Sequence, residues 1–574
     1  MIELAFCTST NFFRSLEMNY PWLKSYPDGV PFEIDVKRYN NLCEVFEDSC
    51  KKYREKAALS NMGATISYHE YDRLTGRFAS FLQHELKLKK GDRIAIQMPN
   101  LLQYNIALYG AFRAGLIVVN TNPLYTAREM EHQFKDSGAK AIVILSNFAH
   151  MLQEVLPATN IQHVIITDVG DLLGFPKKLI VNNVLKYIKK AIPAYKINKS
   201  IKFLDALELG SKKPFQEIRC KSEDPAFLQY TGGTTGVSKG AILSHGNVLA
   251  NMLQIAAWMK PCLVEGQEIA ICALPLYHIF SLTLNAMTFM IYGAEVVLIT
   301  NPRDMVGFIK ELKAKPFSVF SGVNTLFNGL MNHPDFSSIN FNAVKVSVAG
   351  GMALQTAVAE KWMKITDSLL VEGYGLTETS PVATVNPLSK KGNHVGTIGL
   401  PVPNTILKLL DDDGNEVAEG QQGEVAIKGP QVMQGYWQRP DETAKVMTGD
   451  GYFKSGDIGI MDQEGYFKIV DRKKDMILVS GFNVYPNEIE DVLANLDGVL
   501  ESAAIGVPDE KSGEAVKVVI VKKDPGLTTE QVIQHCRQNL TNYKVPRYVE
   551  FRHELPKTNV GKILRRALRT TDTK

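Results

Sequence analysis

The chain has 574 residues and carries 64 Lys+Arg against 61 Asp+Glu, a net charge of +3, with 45% hydrophobic and 22% charged residues. That length exceeds what one hydrophobic core supports, so at least two domains are expected, and the near balance of charge provides no field that would select nucleic acid. The seven cysteines form no CxxC pair and no ligand-like cluster with histidine, which argues against a metal knuckle or a disulfide framework and fits a reducing cytoplasm.

In chain order, residues 1–21 contain Phe12 and Phe13, but Glu3, Arg14 and Glu17 interrupt them, so the segment reads as neither signal peptide nor spanning helix. From Gly91 the pattern alternates. Arg93 to Met98, Leu116 to Asn120, Ala141 to Leu145 and His163 to Thr167 read as buried strands, with helices over Leu101 to Ala114 and Ala127 to Ser137 between the first three. Strands and helices alternating at these lengths predict parallel βαβ units. Between Pro176 and Pro193, a step of about 100° per residue puts Ile180, Val181, Val184, Leu185, Ile188, Ala191 and Ile192 on one arc and Asn182, Asn183, Lys186, Lys189 and Lys190 on the other. Such a basic amphipathic helix either packs its apolar arc on the protein's own core, the commoner arrangement, or lies on an anionic membrane surface.

The stretch Tyr230 to Gly240, YTGGTTGVSKG, follows a short apolar strand beginning at Pro225. Its glycines let the backbone approach a phosphate closely, successive N–H groups in a turn make an anion-binding concavity, and Lys239 adds a cation. It departs from the Walker pattern, because Val237 and Ser238 separate Gly236 from Lys239. Further on, His278 stands in an apolar, aromatic run (Ala273 to Phe280), where a histidine is more often a satisfied core residue than a catalyst. Val344 to Gly351 reads as a strand ending in glycines, and Leu369 to Glu378 as one running into a Gly-flanked Tyr374 and a carboxylate. Ligands of parallel sheets bind at such strand ends, which here suit a nucleotide base and a phosphate-bound metal.

The last third has short strands with turn signals at Gly414, Gly423, Gly435 and Gly465, and a carboxylate, Asp457, following a glycine turn. The five charges Asp471 to Asp475 read as a solvated linker, which divides the chain into domains 1–474 and 475–574. The expected fold is α/β: a large N-terminal domain of parallel βαβ layers plus a β-rich subdomain, followed by a small, mobile α+β C-terminal domain whose tail carries Lys562 beside Gly561. Together the residues ask for a nucleoside triphosphate, and they offer no Ser-His or Cys-His pattern for a covalent enzyme intermediate. Catalysis would then rest on positioning and on charge neutralisation at phosphorus.

YTGGTTGVSKG, EGYGLTE (Glu372 to Glu378), SGD (Ser455 to Asp457), DRKKDMI (Asp471 to Ile477) and PKTNVGK (Pro556 to Lys562), in this order, resemble the signature motifs of the adenylate-forming enzymes, which include acyl-CoA synthetases, peptide-synthetase adenylation domains and luciferases. The stretch from Gly451 to Glu490 resembles the fatty acyl-CoA synthetases in particular.

The resemblance implies that Thr231, Gly232, Gly233, Thr234, Thr235, Gly236 and Lys239 hold the ATP β- and γ-phosphates, and that Glu378 binds Mg²⁺. Gly350, Gly351, Tyr374, Gly375 and Thr377 would border the nucleotide, with Asp457 on the ribose hydroxyls and Arg472 near ribose and phosphate. Lys562 would reach the acyl carboxylate and α-phosphate, His278 would sit where nucleotide and acyl pockets join, Gly481 would line the pantetheine tunnel of CoA, and Lys474 would be the hinge. Where some long-chain members carry an aromatic gate, four residues after this histidine, the sequence has Leu282, so the acyl tunnel is expected to be gated differently or open. The implied reaction joins a long-chain fatty acid to CoA through an acyl-AMP intermediate, on a cytoplasmic protein with fatty acid, ATP and CoA as partners, and it admits a homodimer and membrane-surface attachment. A carrier-protein-loading ligase and a non-catalytic fatty-acid binder are the alternatives.

Overall fold

The computed structural model describes residues 20–231, 238–509, 512–558 and 560–569. Among the described residues, one sheet has eight strands in the order Gly435–Tyr436, Lys239–Ser244, Pro225–Thr231, Ile117–Asn120, Arg93–Gln97, Ala141–Leu145, His163–Thr167 and Ile201–Lys202. Its centre is parallel, as the βαβ reading required. A second sheet of nine strands runs Leu400–Pro401, Val382–Val385, Leu370–Gly375, Val346–Gly350, Val319–Gly322, Ile269–Cys272, Glu295–Leu298, Ala57–Asn61 and Ala64–Ser67, again parallel inside and antiparallel at the edges. Helix Leu102–Arg113 touches strands of both sheets and is buried at every position. Hence its sequence shows no polar face.

The β-rich subdomain is an antiparallel four-stranded sheet, Ile406–Leu410, Gly423–Lys428, Phe453–Met461 and Phe467–Arg472. The strand at Gly435 leaves this run and pairs instead with Lys239–Ser244 of the first sheet. From Ile477 onward the chain builds a separate five-stranded sheet covered by helices Pro486–Ala494 and Thr529–Asn539, with apolar cores drawn only from residues beyond 476.

Two expectations require correction, and a third position is placed differently from its neighbours. The helix expected between Pro176 and Pro193 is a short α-helix, Lys177–Asn183, that widens into a π-turn, Val184–Ile188. It is joined to the body by polar groups: the Lys177 ammonium donates to the Met62 carbonyl, and Asn182 Oδ1 accepts from Gly170 N at 2.7 Å. Its apolar arc is only partly covered, with Val181, Val184, Leu185, Ala191 and Ile192 half-buried. Ile180 is 59% and Ile188 76% exposed, and Phe175, Leu179 and Tyr187 beside them are also exposed.

The charged run at 471–475 is not uniformly solvated, because Asp471 is only 1% exposed. Its carboxylate accepts from Asn487 N at 2.9 Å and pairs with Arg565 at 3.3 Å. Leu282, at the expected gate position, is fully buried at the start of a π-helical segment, Leu282–Thr288, and it is Leu284 that borders the main cavity. The reading of residues 1–21 falls outside the described residues apart from Tyr20 and Pro21.

Candidate functional site

A cavity of about 1980 Å³ opens where the two large sheets, the four-stranded sheet and the small domain meet. Of the residues singled out from sequence, it is bordered by Thr231, Lys239, His278, Gly350, Gly351, Tyr374, Gly375, Thr377, Glu378, Asp457, Arg472 and Lys562. Gly232, Gly233, Thr234, Thr235 and Gly236 lie outside the described residues, but the strands on either side of them, Pro225–Thr231 and Lys239–Ser244, form an antiparallel pair that brings both ends of the loop to the cavity. Gly481 is not brought there. It sits at an exposed hairpin tip, between strands Ile477–Val479 and Phe482–Val484, with nothing within 4 Å of where a side chain would start.

The carboxylate Asp457 anchors one wall. It is 4% exposed, its Oδ2 accepts from the Tyr374 hydroxyl at 2.7 Å, and its Oδ1 lies 3.2 Å from Arg472 Nε. Asp457 and Arg472 are direct cross-strand partners, so the sheet register itself sets this ion pair. The sequence suggested only a stacking ring for Tyr374, whereas its hydroxyl also orients the acid. The glycine after it has a separate cause: a side chain at Gly375 would begin 2.0 Å from the Pro381 carbonyl oxygen.

Lys562 enters from the small domain. Its loop is tied to the large domain by the Thr325 hydroxyl, which donates to the Gly561 carbonyl at 3.0 Å. Gly351, with φ +79°, leaves the room its aliphatic chain needs, since a side chain there would begin 3.0 Å from Lys562 Cε. Burial, reinforced by the Arg472 charge, pulls the Lys562 ammonium down to about 8. Burial, and then the positive charge of Lys562, lowers His278 to about 3, so its imidazole is neutral at physiological pH. His278 Nδ1 accepts from Phe280 N at 3.3 Å, which leaves Nε2 to carry the ring proton as a donor.

Glu378 is 8% exposed, and its Oε1 accepts from the Tyr436 hydroxyl at 2.7 Å. A hard cation bound chiefly by phosphate oxygens takes one or two protein carboxylates. Glu378 fits that donor set, and among the described residues no group of three acidic, His or Cys side chains would hold a metal alone. The Lys239 ammonium is bonded to Glu442 and lies 5.0 Å from the centre of the Tyr436 ring.

Sequence reasoning missed Tyr436, Glu442, Glu372 and Arg565. Glu372 opens the EGYGLTE motif, and burial raises its carboxyl to about 8 where it borders the cavity, with the Asp491 charge adding to the rise. Arg565 binds Glu490 through two bonds, at 3.0 and 2.7 Å, besides Asp471 and Asn487. No spacing in the sequence would reveal these pairs, because their partners lie 58 to 203 positions away. One stretch of the cavity wall is apolar. Ile255, Trp258 and Met259 share one face of helix His245–Met259, and Val348, Val382 and Ile398 come from the second sheet and its flank.

The family model of AMP-binding enzymes matches residues 46–437, and that of the AMP-binding enzyme C-terminal domain matches residues 488–562. The chain is 54% identical to a long-chain-fatty-acid–CoA ligase of Salmonella typhimurium, over 96% of this chain and 98% of that one. It is 38% identical to a long-chain-fatty-acid–CoA ligase of Bacillus subtilis, over 97% and 99%. Among solved structures, ATP-bound MatB from Rhodopseudomonas palustris superposes with a TM-score of 0.79 at 28% identity, covering 93% of this chain and 99% of that one. The anthranilate CoA ligase AuaEII in complex with anthranoyl-AMP reaches 0.83 at 22% identity, over 94% and 99%, a likeness of fold alone.

Proposed function

The chain belongs to the AMP-binding enzyme family, and on that premise we propose that it is a long-chain-fatty-acid–CoA ligase. The fatty carboxylate attacks the α-phosphorus of ATP, giving acyl-AMP and pyrophosphate. The CoA thiol, losing its proton, then attacks the acyl carbon and expels AMP. Adenylation is needed because oxide is a poor leaving group and AMP a good one.

The observation that carries this reading is a single cavity in which the Tyr374–Asp457–Arg472 constellation, the half-buried Lys562 and an apolar stretch of wall meet. Asp457 would receive ribose hydroxyls, Lys562 and the His278 N–H would hold the acyl carboxylate against the α-phosphate, and the wall of Ile255, Trp258 and Met259 would take the alkyl chain. Glu378 would hold Mg²⁺, which when bound neutralises triphosphate charge. Gly481, away from the cavity in this arrangement, would serve CoA after the small domain pivots about the linker at Lys474.

The exposed apolar and basic segment 175–190 would rest on an anionic membrane. Support comes from the side chains of Phe175, Tyr187 and Ile188, 85%, 65% and 76% exposed beside Lys186, Lys189 and Lys190. Attachment there would bring the enzyme to the phase in which long-chain acids concentrate.

The decisive measurement is pyrophosphate release with oleate and ATP in the absence of CoA, followed by AMP release on adding CoA. Oleate-dependent pyrophosphate release followed by CoA-dependent AMP release is expected. AMP release that ignores CoA and requires a carrier protein would replace the ligase with the carrier-loading reading. Oleate binding without pyrophosphate would leave only a binder.

A further inference from the structure

Lys239 is the one cation of the phosphate loop and borders the cavity, yet its ammonium is bonded to a carboxylate, Glu442, that does not itself border it. We propose that Glu442, on the short helix Pro440–Val446, is a positioning residue that holds Lys239 between turnovers, yields it to the incoming triphosphate and takes it back as pyrophosphate leaves. The proposal rests on the ATP-dependent reading above.

Three features of the contact suit an exchange better than a fixed brace. The two side chains are 32% and 30% exposed, and solvent-exposed ion pairs are weak, so multiply charged phosphate oxygens can outcompete the carboxylate. The carboxylate is not left alone when Lys239 departs, because Lys445, one helical turn on, is bonded to the same group. The two lysines, Lys239 foremost, hold the Glu442 carboxyl down to about 2, so it is charged and ready to recapture the ammonium at every physiological pH.

The geometry is also tied to the other phosphate-facing group. The Tyr436 ring lies under the Lys239 ammonium while its hydroxyl donates to Glu378, so one aromatic residue spans the phosphate-loop cation and the carboxylate assigned to Mg²⁺. The backbone fixes Tyr436 in that place. Gly435 and Tyr436 pair with Ile242 and Ala241 on the strand leaving the loop, and the Thr443 hydroxyl, on the helix of Glu442, accepts from Tyr436 N at 2.9 Å.

The test measures ATP affinity and pyrophosphate inhibition for the parent, Glu442→Gln, Lys239→Met and the double variant. Removing a competitor for Lys239 should tighten ATP binding and lower the pyrophosphate inhibition constant by the same factor, about twofold to fivefold, the range that exposed ion pairs span. In the Lys239→Met background the same Glu442→Gln change should move neither constant, which separates the pairing from a structural role of the helix. Glu442→Gln values equal to or weaker than the parent's, or an undiminished shift without Lys239, would overturn the proposal. A parent that binds neither ATP nor pyrophosphate would overturn the ligase reading, and the resting pair with it. A parent that binds both, with Glu442→Gln unchanged, overturns the resting pair alone.

Discussion

At the scale of single residues, the site is governed by how burial sets protonation. Lys562 is pulled down to about 8 by burial and then by Arg472, so it still carries its charge at pH 7 and loses it well before an exposed lysine would. The ammonium is the form that can hold a carboxylate against a phosphate. Acyl-AMP formation, measured as kcat/KM without CoA, is therefore expected to fall as pH rises through about 8, by about tenfold per unit beyond it. Lys562→Arg, whose guanidinium stays protonated, should be slower but show no such fall between pH 8 and 10. An identical descending limb in both enzymes would assign the titration to another group. The identity of Lys562 was legible in the sequence because it stands in a motif. Its lowered basicity was not, since that depends first on the burial the fold gives it and then on Arg472, 90 positions away in sequence.

At the scale of elements, the sequence was most informative where one periodicity ran without interruption. Strands Ala141–Leu145 and His163–Thr167 and helix Ala127–Ser137 have the bounds that their patterns predict, the helix closed by a capping box at Thr126 and a left-handed Gly138. The segment after Pro176 is a case where the period alone does not decide the packing. A period reports which residues share a face, but not how far that face is covered, and here Ile180 and Ile188 are left exposed. Each lysine near an anionic surface contributes about 1 kcal/mol. Replacing Lys186, Lys189 and Lys190 together by glutamine should thus lower cosedimentation with phosphatidylserine vesicles by one to two orders of magnitude in partition coefficient, while activity on short soluble acids stays at the parent's level. Undiminished cosedimentation would move the membrane contact elsewhere on the molecule.

At the scale of the whole molecule, the buried Asp471 matters because of where it belongs. It sits on strand Phe467–Arg472, inside the large domain's sheet and opposite Ile458, yet its carboxylate binds Asn487 and Arg565 of the small domain. If the pivot lies at Lys474, this contact exists only in the arrangement that inserts Lys562. Removing one partner's charge from a buried pair is costly, so Asp471→Asn should slow acyl-AMP formation about tenfold and leave the conversion of supplied acyl-AMP and CoA to thioester unaffected. Equal slowing of both half-reactions would place the pivot before Asp471. The sheets carry a consequence of another kind, for synthesis. Strand Ala57–Asn61 takes its parallel partner from Glu295–Leu298, with Leu59 opposite Val296, a separation of 296 − 59 = 237 residues. At a ribosomal rate of roughly 5–20 residues per second, the hairpin 57–67 emerges roughly 12 to 47 s before the strand it must lie against. During that interval its hydrophobic face has only nascent chain or chaperone to meet, which makes the N-terminal hairpin the part of this protein most exposed to mispairing while it is being made.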